Sequence, residues 1–352
     1  MGKGRRGGPV RDVAVDLGSS TVLLAVRGRG VLLREPSVAA VDRQTGKVLR
    51  AGEEARQMLG RRPGQTLTLR PISGGVLRDC AMAEEMIRAF LQKAVPGRLF
   101  KPRLLISVPS GAAQVDEQAV VEAGLRAGAR RVYLMEGPLA GALGAGIAVD
   151  EAQGHMVVDI GGGTTDVAVI ALGGVVASAC LAAAGEAFDL ALLQYVRAEH
   201  GLLISRRTAE GVKIAIGRVG CAEHGGEEEA FSVKGRCLRT GLPRQVELRA
   251  SETVQALEPV AEELVRGVRE VLERTPPELA ADIEAEGILL TGGGSLLCGL
   301  DRLLSERTGM RVSVAEEPET AVILGLEKTL ATLSRRQEGV LDLARRRAVA
   351  GE

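Results

Sequence analysis

Short apolar runs alternate with longer amphipathic stretches along most of this chain. Val13-Ala14-Val15, Leu104–Val108, Val132–Met135, Met156-Val157-Val158 and Ile288–Leu290 are apolar runs of strand length, bounded by turn formers as buried strands are. Between them, Gln114–Ala127 has helical spacing and ends at Gly128, and Val254–Leu272 reads as a long amphipathic helix halted by Thr275-Pro276-Pro277. Pro138 stands where a helix's first turn begins, ahead of an Ala/Gly-rich stretch to Gly146. This alternation predicts an α/β fold with mostly parallel sheets and ligands at the strand carboxyl ends. The polar, Gly-rich stretch 223–229 (EHGGEEE) reads as a solvated loop of a smaller subdomain.

The apolar pattern also repeats. Residues 16–26 read DLGSSTVLLAV and residues 159–169 read DIGGGTTDVAV. Each copy follows a short apolar strand and precedes a Gly-containing turn and a further apolar run. Two copies of strand, Gly turn, strand predict two similar domains facing each other. Val167–Gly185 carries no charge over a length that can span a bilayer. Gly173-Gly174 divides it into two β-rich runs, however, which reads as a hairpin.

Composition narrows the partners. The 45 basic residues balance 45 acidic ones, and aromatics make up 2% with no Trp, so neither a broad basic field nor stacking platforms point to nucleic acid. At 352 residues the chain suits two or three domains, and 45% hydrophobic with 26% charged residues is ordinary soluble composition. The 5 cysteines form no CxxC pair and the 3 histidines have no second ligand nearby, which suits reduced thiols and excludes a zinc site. The basic start MGKGRRGGPVR lacks an apolar core, so no secretory signal is expected.

The glycines cluster where phosphate chemistry is expected. There is no GxxxxGK[ST] loop; the candidates are the two repeated hairpins and TGGGSLLCG at 291–299. In hairpins with little side-chain bulk, backbone N–H groups converge on phosphate oxygens and hydroxyls add donors. Gly18, Ser19 and Ser20 would flank one side of a triphosphate, and Gly162, Gly163 and Thr164 the other. Asp16 and Asp159 suit the outer shell of a hydrated Mg²⁺. Gly292, Gly293, Gly294 and Ser295 bring backbone close to an adenine or ribose.

This combination resembles the actin, heat-shock chaperone and sugar-kinase ATPase superfamily, and within it the MreB family of bacterial actins. The resemblance is carried by EPSVAAVDRQTGKVL (35–49), GEEARQMLGRRPG (52–64), ISVPSG (106–111), VVDIGGGTTDVAVIALGGVV (157–176), TPPELAADI (275–283) and GILLTGGGSLLCGLDRLL (287–304). It implies an actin-like fold: two duplicated α/β domains around a nucleotide cleft, each with a smaller inserted subdomain. The boundaries it implies are 1–35, 70–149 and 323–352 for subdomain IA and 36–69 for IB. Subdomain IIA takes 150–184 and 249–322, and IIB takes 185–248. It also implies ATP, with GTP as the alternative purine, together with Mg²⁺. The implied partners are copies of the chain, the inner face of the cell membrane and membrane proteins of the cell-wall elongation machinery. The implied place is the cytoplasm, peripheral to that membrane, and the implied role is cell shape.

Position by position, the resemblance assigns Asp16, Gly18, Ser19, Ser20 and Thr21 to the first phosphate loop, and Asp159 with Gly161, Gly162, Gly163, Thr164 and Thr165 to the second. Glu210 and Lys213 would line ribose and adenine, and Thr164 would sit at the reacting phosphate. Three departures fall in the same expected cleft. Ser19-Ser20-Thr21-Val22 replaces the family's Thr-Ala-Asn-Thr, Ala215 replaces a Glu beside the base, and Gly137 replaces the Glu that positions the attacking water. Glu136 is adjacent to that gap, and impaired turnover is expected. The segment 96–103 (PGRLFKPR) places Leu99 and Phe100 between prolines and three basic residues, which suits a membrane-inserting loop. A sugar kinase would need an Asp base beside an acceptor pocket. A chaperone would need a substrate domain after the core, where some twenty residues are expected.

Overall fold

The central strands are buried on both faces, and their residues explain why: all of Thr165–Ala171 is buried, as are Leu104-Leu105-Ile106. The computed structural model describes residues 12–58, 64–96, 101–220 and 229–333. Two compact units emerge, one holding the chain up to Ile147 and from Thr320, the other Ala148–Glu319.

The first unit opens with β1 (Val13–Leu17), β2 (Thr21–Val26) and β3 (Gly30–Pro36). A small antiparallel sheet follows, of β4 (Ala39–Asp42), β5 (Val48–Ala51) and β6 (Thr66–Leu69), with helix α1 (Glu53–Gln57) between the last two. Next come a hairpin of β7 (Ile72–Ser73) and β8 (Val76–Leu77), then α2 (Cys80–Ala94), β9 (Arg103–Val108), α3 (Gln114–Arg126), β10 (Arg131–Glu136) and α4 (Gly137–Gly144). The main sheet is ordered β10-β9-β1-β2-β3, with β1, β9 and β10 parallel and β1-β2-β3 antiparallel.

The second unit runs β11 (His155–Ile160), β12 (Thr165–Ala171), β13 (Gly174–Leu181), α5 (Gly185–Glu199), β14 (Leu202–Leu203), α6 (Arg206–Ile216), β15 (Ala230–Cys237), β16 (Pro243–Arg249) and α7 (Ala250–Arg274). It continues with α8 (Pro277–Glu286), β17 (Ile288–Thr291), a 3-10 turn (Gly293–Leu296), α9 (Leu300–Thr308) and β18 (Val312–Val314). Its main sheet is ordered β13-β12-β11-β17-β18, again three antiparallel strands continued by two parallel ones. The sequence repeat is thus a repeat of topology.

The uncharged run 167–185 enters the β12–β13 hairpin. Its turn is Leu172-Gly173, with φ of 51° and 75°, one residue earlier than the glycine pair suggests; positive φ at both central positions matches the strand twist. No described helix is long and apolar enough to cross a membrane. Helix α7 starts four residues before the expected Val254, because β16 passes directly into it.

The chain re-enters the first unit as α10 (Ala321–Thr332), which packs on α4. Glycines make that contact close. A Cβ on Gly325 would lie 1.8 Å from the Ala140 carbonyl oxygen, and one on Gly144 1.7 Å from that of Ala321. Lys328 Nζ caps the end of α4, donating to the Leu143 and Gly144 carbonyls at 2.8 and 3.0 Å.

Candidate functional site

In the first unit the expected site residues gather at the carboxyl ends of β1, β9 and β10. Asp16 Oδ1 accepts from Ser107 Oγ at 2.7 Å, and that hydroxyl accepts the Leu17 N–H at 3.1 Å. Burial pushes the Asp16 carboxyl up to about 6, against the lowering effect of the Ser107 hydrogen bond. Gly18 turns β1 into β2 where a Cβ would meet the Thr21 carbonyl oxygen at 2.6 Å. Ser19 is buried and its hydroxyl accepts the Gly75 N–H at 3.3 Å; the Ser20 carbonyl accepts the Ser37 N–H at 2.9 Å. Glu136 ends β10 opposite Val108, and its buried Oε2 has no hydrogen-bond partner among the described residues. Gly137, buried, opens α4.

The second unit repeats the arrangement. Asp159 Oδ1 accepts from Thr291 Oγ1 at 3.0 Å, across the parallel β11–β17 pair, as Asp16 accepts from Ser107 across β1–β9. The Gly161 N–H closes the hairpin on the Thr164 carbonyl at 2.9 Å, so that amide belongs to the turn. Thr164 Oγ1 lies 3.4 Å from Asp166 Oδ2, and Thr165, fully buried, donates to the Ala183 carbonyl at 2.6 Å. Asp166 is paired in register with Asp159.

Helix α5 braces this hairpin. The Gly185 N–H donates to the Gly161 carbonyl at 3.0 Å and the Glu186 N–H to the Gly162 carbonyl at 2.7 Å. Lys213, on α6 with Glu210, donates to the Gly185 carbonyl at 2.9 Å. The Gly292 loop presses on the hairpin's other side: a Cβ there would meet the Ile160 carbonyl oxygen at 2.4 Å, and φ is +78°. Ser295 is buried and donates to the Gly292 carbonyl at 2.7 Å, which holds the loop shape through Gly293 and Gly294.

Each Asp is an oxygen donor oriented by one hydroxyl, and no described cluster of three or more His, Cys, Asp or Glu side chains could hold a metal. Taken by itself, each carboxyl is a donor of the kind that fits hydrated Mg²⁺ and not an all-protein cage.

Sequence reasoning missed Ser107, Thr291, the α5 start and Asp166. Ser107 and Thr291 lie inside the motifs ISVPSG and LLTGGG, and only the parallel strand register gives them a role. Leu99 and Phe100 lie outside the described residues, as do stretch 223–228 and the tail after residue 333. Arg103, counted among the basic residues beside that pair, is committed elsewhere: its Nε donates to the fully buried Asp12 at 2.8 Å, and the pair is bidentate.

The signature of the family described as MreB/Mbl protein matches residues 10–338. The chain belongs to the MreB/Mbl family. It is 45% identical over 317 residues to the cell shape-determining protein Mbl of Bacillus subtilis (strain 168), covering 90% of this chain and 94% of that one. It is also 45% identical over 325 residues to the cell shape-determining protein MreB of Escherichia coli (strain K12), covering 91% and 93%. Among solved structures, MreB 5 of Spiroplasma citri bound to AMPPNP superposes with a TM-score of 0.87 at 31% identity, covering 94% of this chain and 98% of that one. The fold is therefore actin-like.

Proposed function

We propose that this chain is a nucleotide-dependent, actin-like cytoskeletal protein that assembles with copies of itself into filaments and takes part in determining cell shape. The observation that carries the reading is the duplicated Asp–hydroxyl pair at matching strand ends, each beside a small-residue hairpin. Membership of a family with a structure bound to AMPPNP supports a purine nucleotide as the ligand. Asp16 and Asp159 would hold hydrated Mg²⁺, which supplies charge neutralisation at the phosphates. Gly18–Thr21 and Gly162–Thr164 would contact phosphate, while Glu210, Lys213 and the Gly292–Gly294 loop would contact ribose and base. The four-subdomain division given above belongs to this reading.

Turnover is expected to be slow. Gly137 offers no side chain to orient water, and loss of one preorganised contact lowers rate by about 10²–10³. Sedimentation with and without Mg-ATP, paired with phosphate release, tests both points: pelleting should depend on nucleotide, and Gly137→Glu should raise release without changing affinity. A chain that neither binds ATP nor pellets with it refutes the reading.

Peripheral attachment to the inner membrane face, and through it contact with the elongation machinery, rests on Leu99 and Phe100. Filaments would supply the avidity that one loop lacks. Flotation of assembled Leu99→Ser/Phe100→Ser protein with anionic liposomes should fail; flotation equal to the parent's excludes the loop.

A further inference from the structure

The Lys213 ammonium is already engaged. Besides the Gly185 carbonyl at 2.9 Å, it lies 2.7 Å from Asp189 Oδ1 on α5, with both side chains largely buried at 16% and 14% exposure. That buried oxygen has no hydrogen-bond partner among the described residues, so the ammonium meets it as an ion pair. Burial raises the Asp189 carboxyl, Lys213 lowers it, and Glu210 and Glu186 raise it further, so the pair sits in acidic surroundings where an unshared carboxylate is costly. An ammonium has three donors, and one is spent on the Gly185 carbonyl.

The Gly185 peptide links this pair to the phosphate hairpin. Its carbonyl faces Lys213, its N–H holds the Gly161 carbonyl, and the next N–H holds the Gly162 carbonyl. Helix α6 is therefore tied to the β11–β12 turn through one peptide unit, provided Lys213 stays in place. We propose that Asp189 is a positioning residue for nucleotide binding, which holds Lys213 against the start of α5 so that α6 and the phosphate hairpin respond to ligand as one piece. This inference rests on the nucleotide reading above. It assigns Asp189 no contact with the ligand; its effect passes through Lys213.

A double-mutant cycle separates such a role from a general loss of structure. ATP affinity is measured with Mg²⁺ present for the parent, Asp189→Asn, Lys213→Met and the double variant, with thermal melts alongside. Each single substitution should weaken binding on the order of tenfold, and the double variant should bind no more weakly than Lys213→Met. Lys213→Met leaves a buried carboxylate without its counter-charge, so adding Asp189→Asn should raise its melting temperature. Losses that multiply to about a hundredfold, or an Asp189→Asn protein with parental affinity, overturn the proposal. If Asp189→Asn alone does not fold, the comparison of Lys213→Met with the double variant decides, a further loss of affinity being the refuting result. Absence of ATP binding by the parent chain overturns the nucleotide reading and this inference with it, whereas multiplying losses in a chain that binds ATP overturn the role of Asp189 alone.

Discussion

Replacing Gly325 by Ala sets two opposed effects against each other. Inside a helix, Ala is favoured over Gly by about 1 kcal/mol, which predicts a gain in stability. At this position, however, the new Cβ would lie 1.8 Å from the Ala140 carbonyl oxygen, 2.6 Å from its carbon and 2.9 Å from the Gly144 nitrogen. All three are backbone atoms of α4, so no side chain can turn aside. Restoring ordinary contact near 3.4 Å requires α4 and α10 to part by roughly 1.5 Å, and a gap of about 1 Å already forfeits up to half of each dispersion contact along it. Overpacking of this kind costs about 1–3 kcal/mol; three backbone contacts place it at the upper end, so the net effect is a loss of about 2 kcal/mol after the propensity gain. Gly211→Ala in α6 is the control: its nearest neighbour, Phe231 Cζ, is 3.9 Å away, and it should stabilise by about 0.5–1 kcal/mol. Urea unfolding of both variants reads the difference. A Gly325→Ala protein as stable as the parent, or more so, would show that the helices are not held at this spacing. Because α4 begins at the Glu136–Gly137 junction, its displacement should also weaken nucleotide-dependent assembly.

Asp159→Ala should weaken Mg²⁺-dependent ATP binding at least tenfold, about 1.4 kcal/mol; unchanged affinity in a titration removes the metal role assigned to it. Cys180 should resist alkylation, since desolvation of the thiol among its neighbours, then the charge and hydrogen bond of Asp166, push it from 9.0 up to about 12. Thiolate is the reactive form, so labelling at pH 8 should be about 10²–10³ slower than for a free cysteine, rising with pH and with Asp166→Asn; labelling at the ordinary rate refutes this.

The fold was largely legible because its signals are local. Apolar runs of strand length, the glycine after Gln114–Ala127 and the doubled DxGxxT turn need only neighbouring residues to be read, and β1, β9, α3 and β11 fall where they indicate. What escaped depends on residues far apart in the chain. Ser107 and Asp16 are separated by 91 positions and Thr291 and Asp159 by 132; only the register of parallel strands makes them partners. Arg103 looked like a surface charge beside a lipid-facing loop because Asp12, its buried partner, sits on the far side of the same pairing. Ser295 and Thr165 carry the hydroxyls expected of ligand contacts, yet both bond backbone carbonyls inside their own unit.

The duplicated scaffold does not produce equal electrostatics in its two copies. Asp159 faces a second carboxylate, Asp166, across the antiparallel pair, whereas the residue in the same register opposite Asp16 is Leu23. One copy therefore sets two carboxyl groups side by side where the other sets a carboxyl against an apolar neighbour, and burial there raises the affinity of Asp16 for a proton. In the second copy, amides of α5 hold the hairpin carbonyls and Lys213 holds the Gly185 carbonyl behind them. Thr291 orients the Asp159 carboxyl, whereas Asp16, oriented by Ser107, keeps its proton below about pH 6. The copy with the two facing carboxyl groups is also the one in which a buried ion pair, Asp189 with Lys213, stands where α6 meets the start of α5 beside the β11–β12 turn.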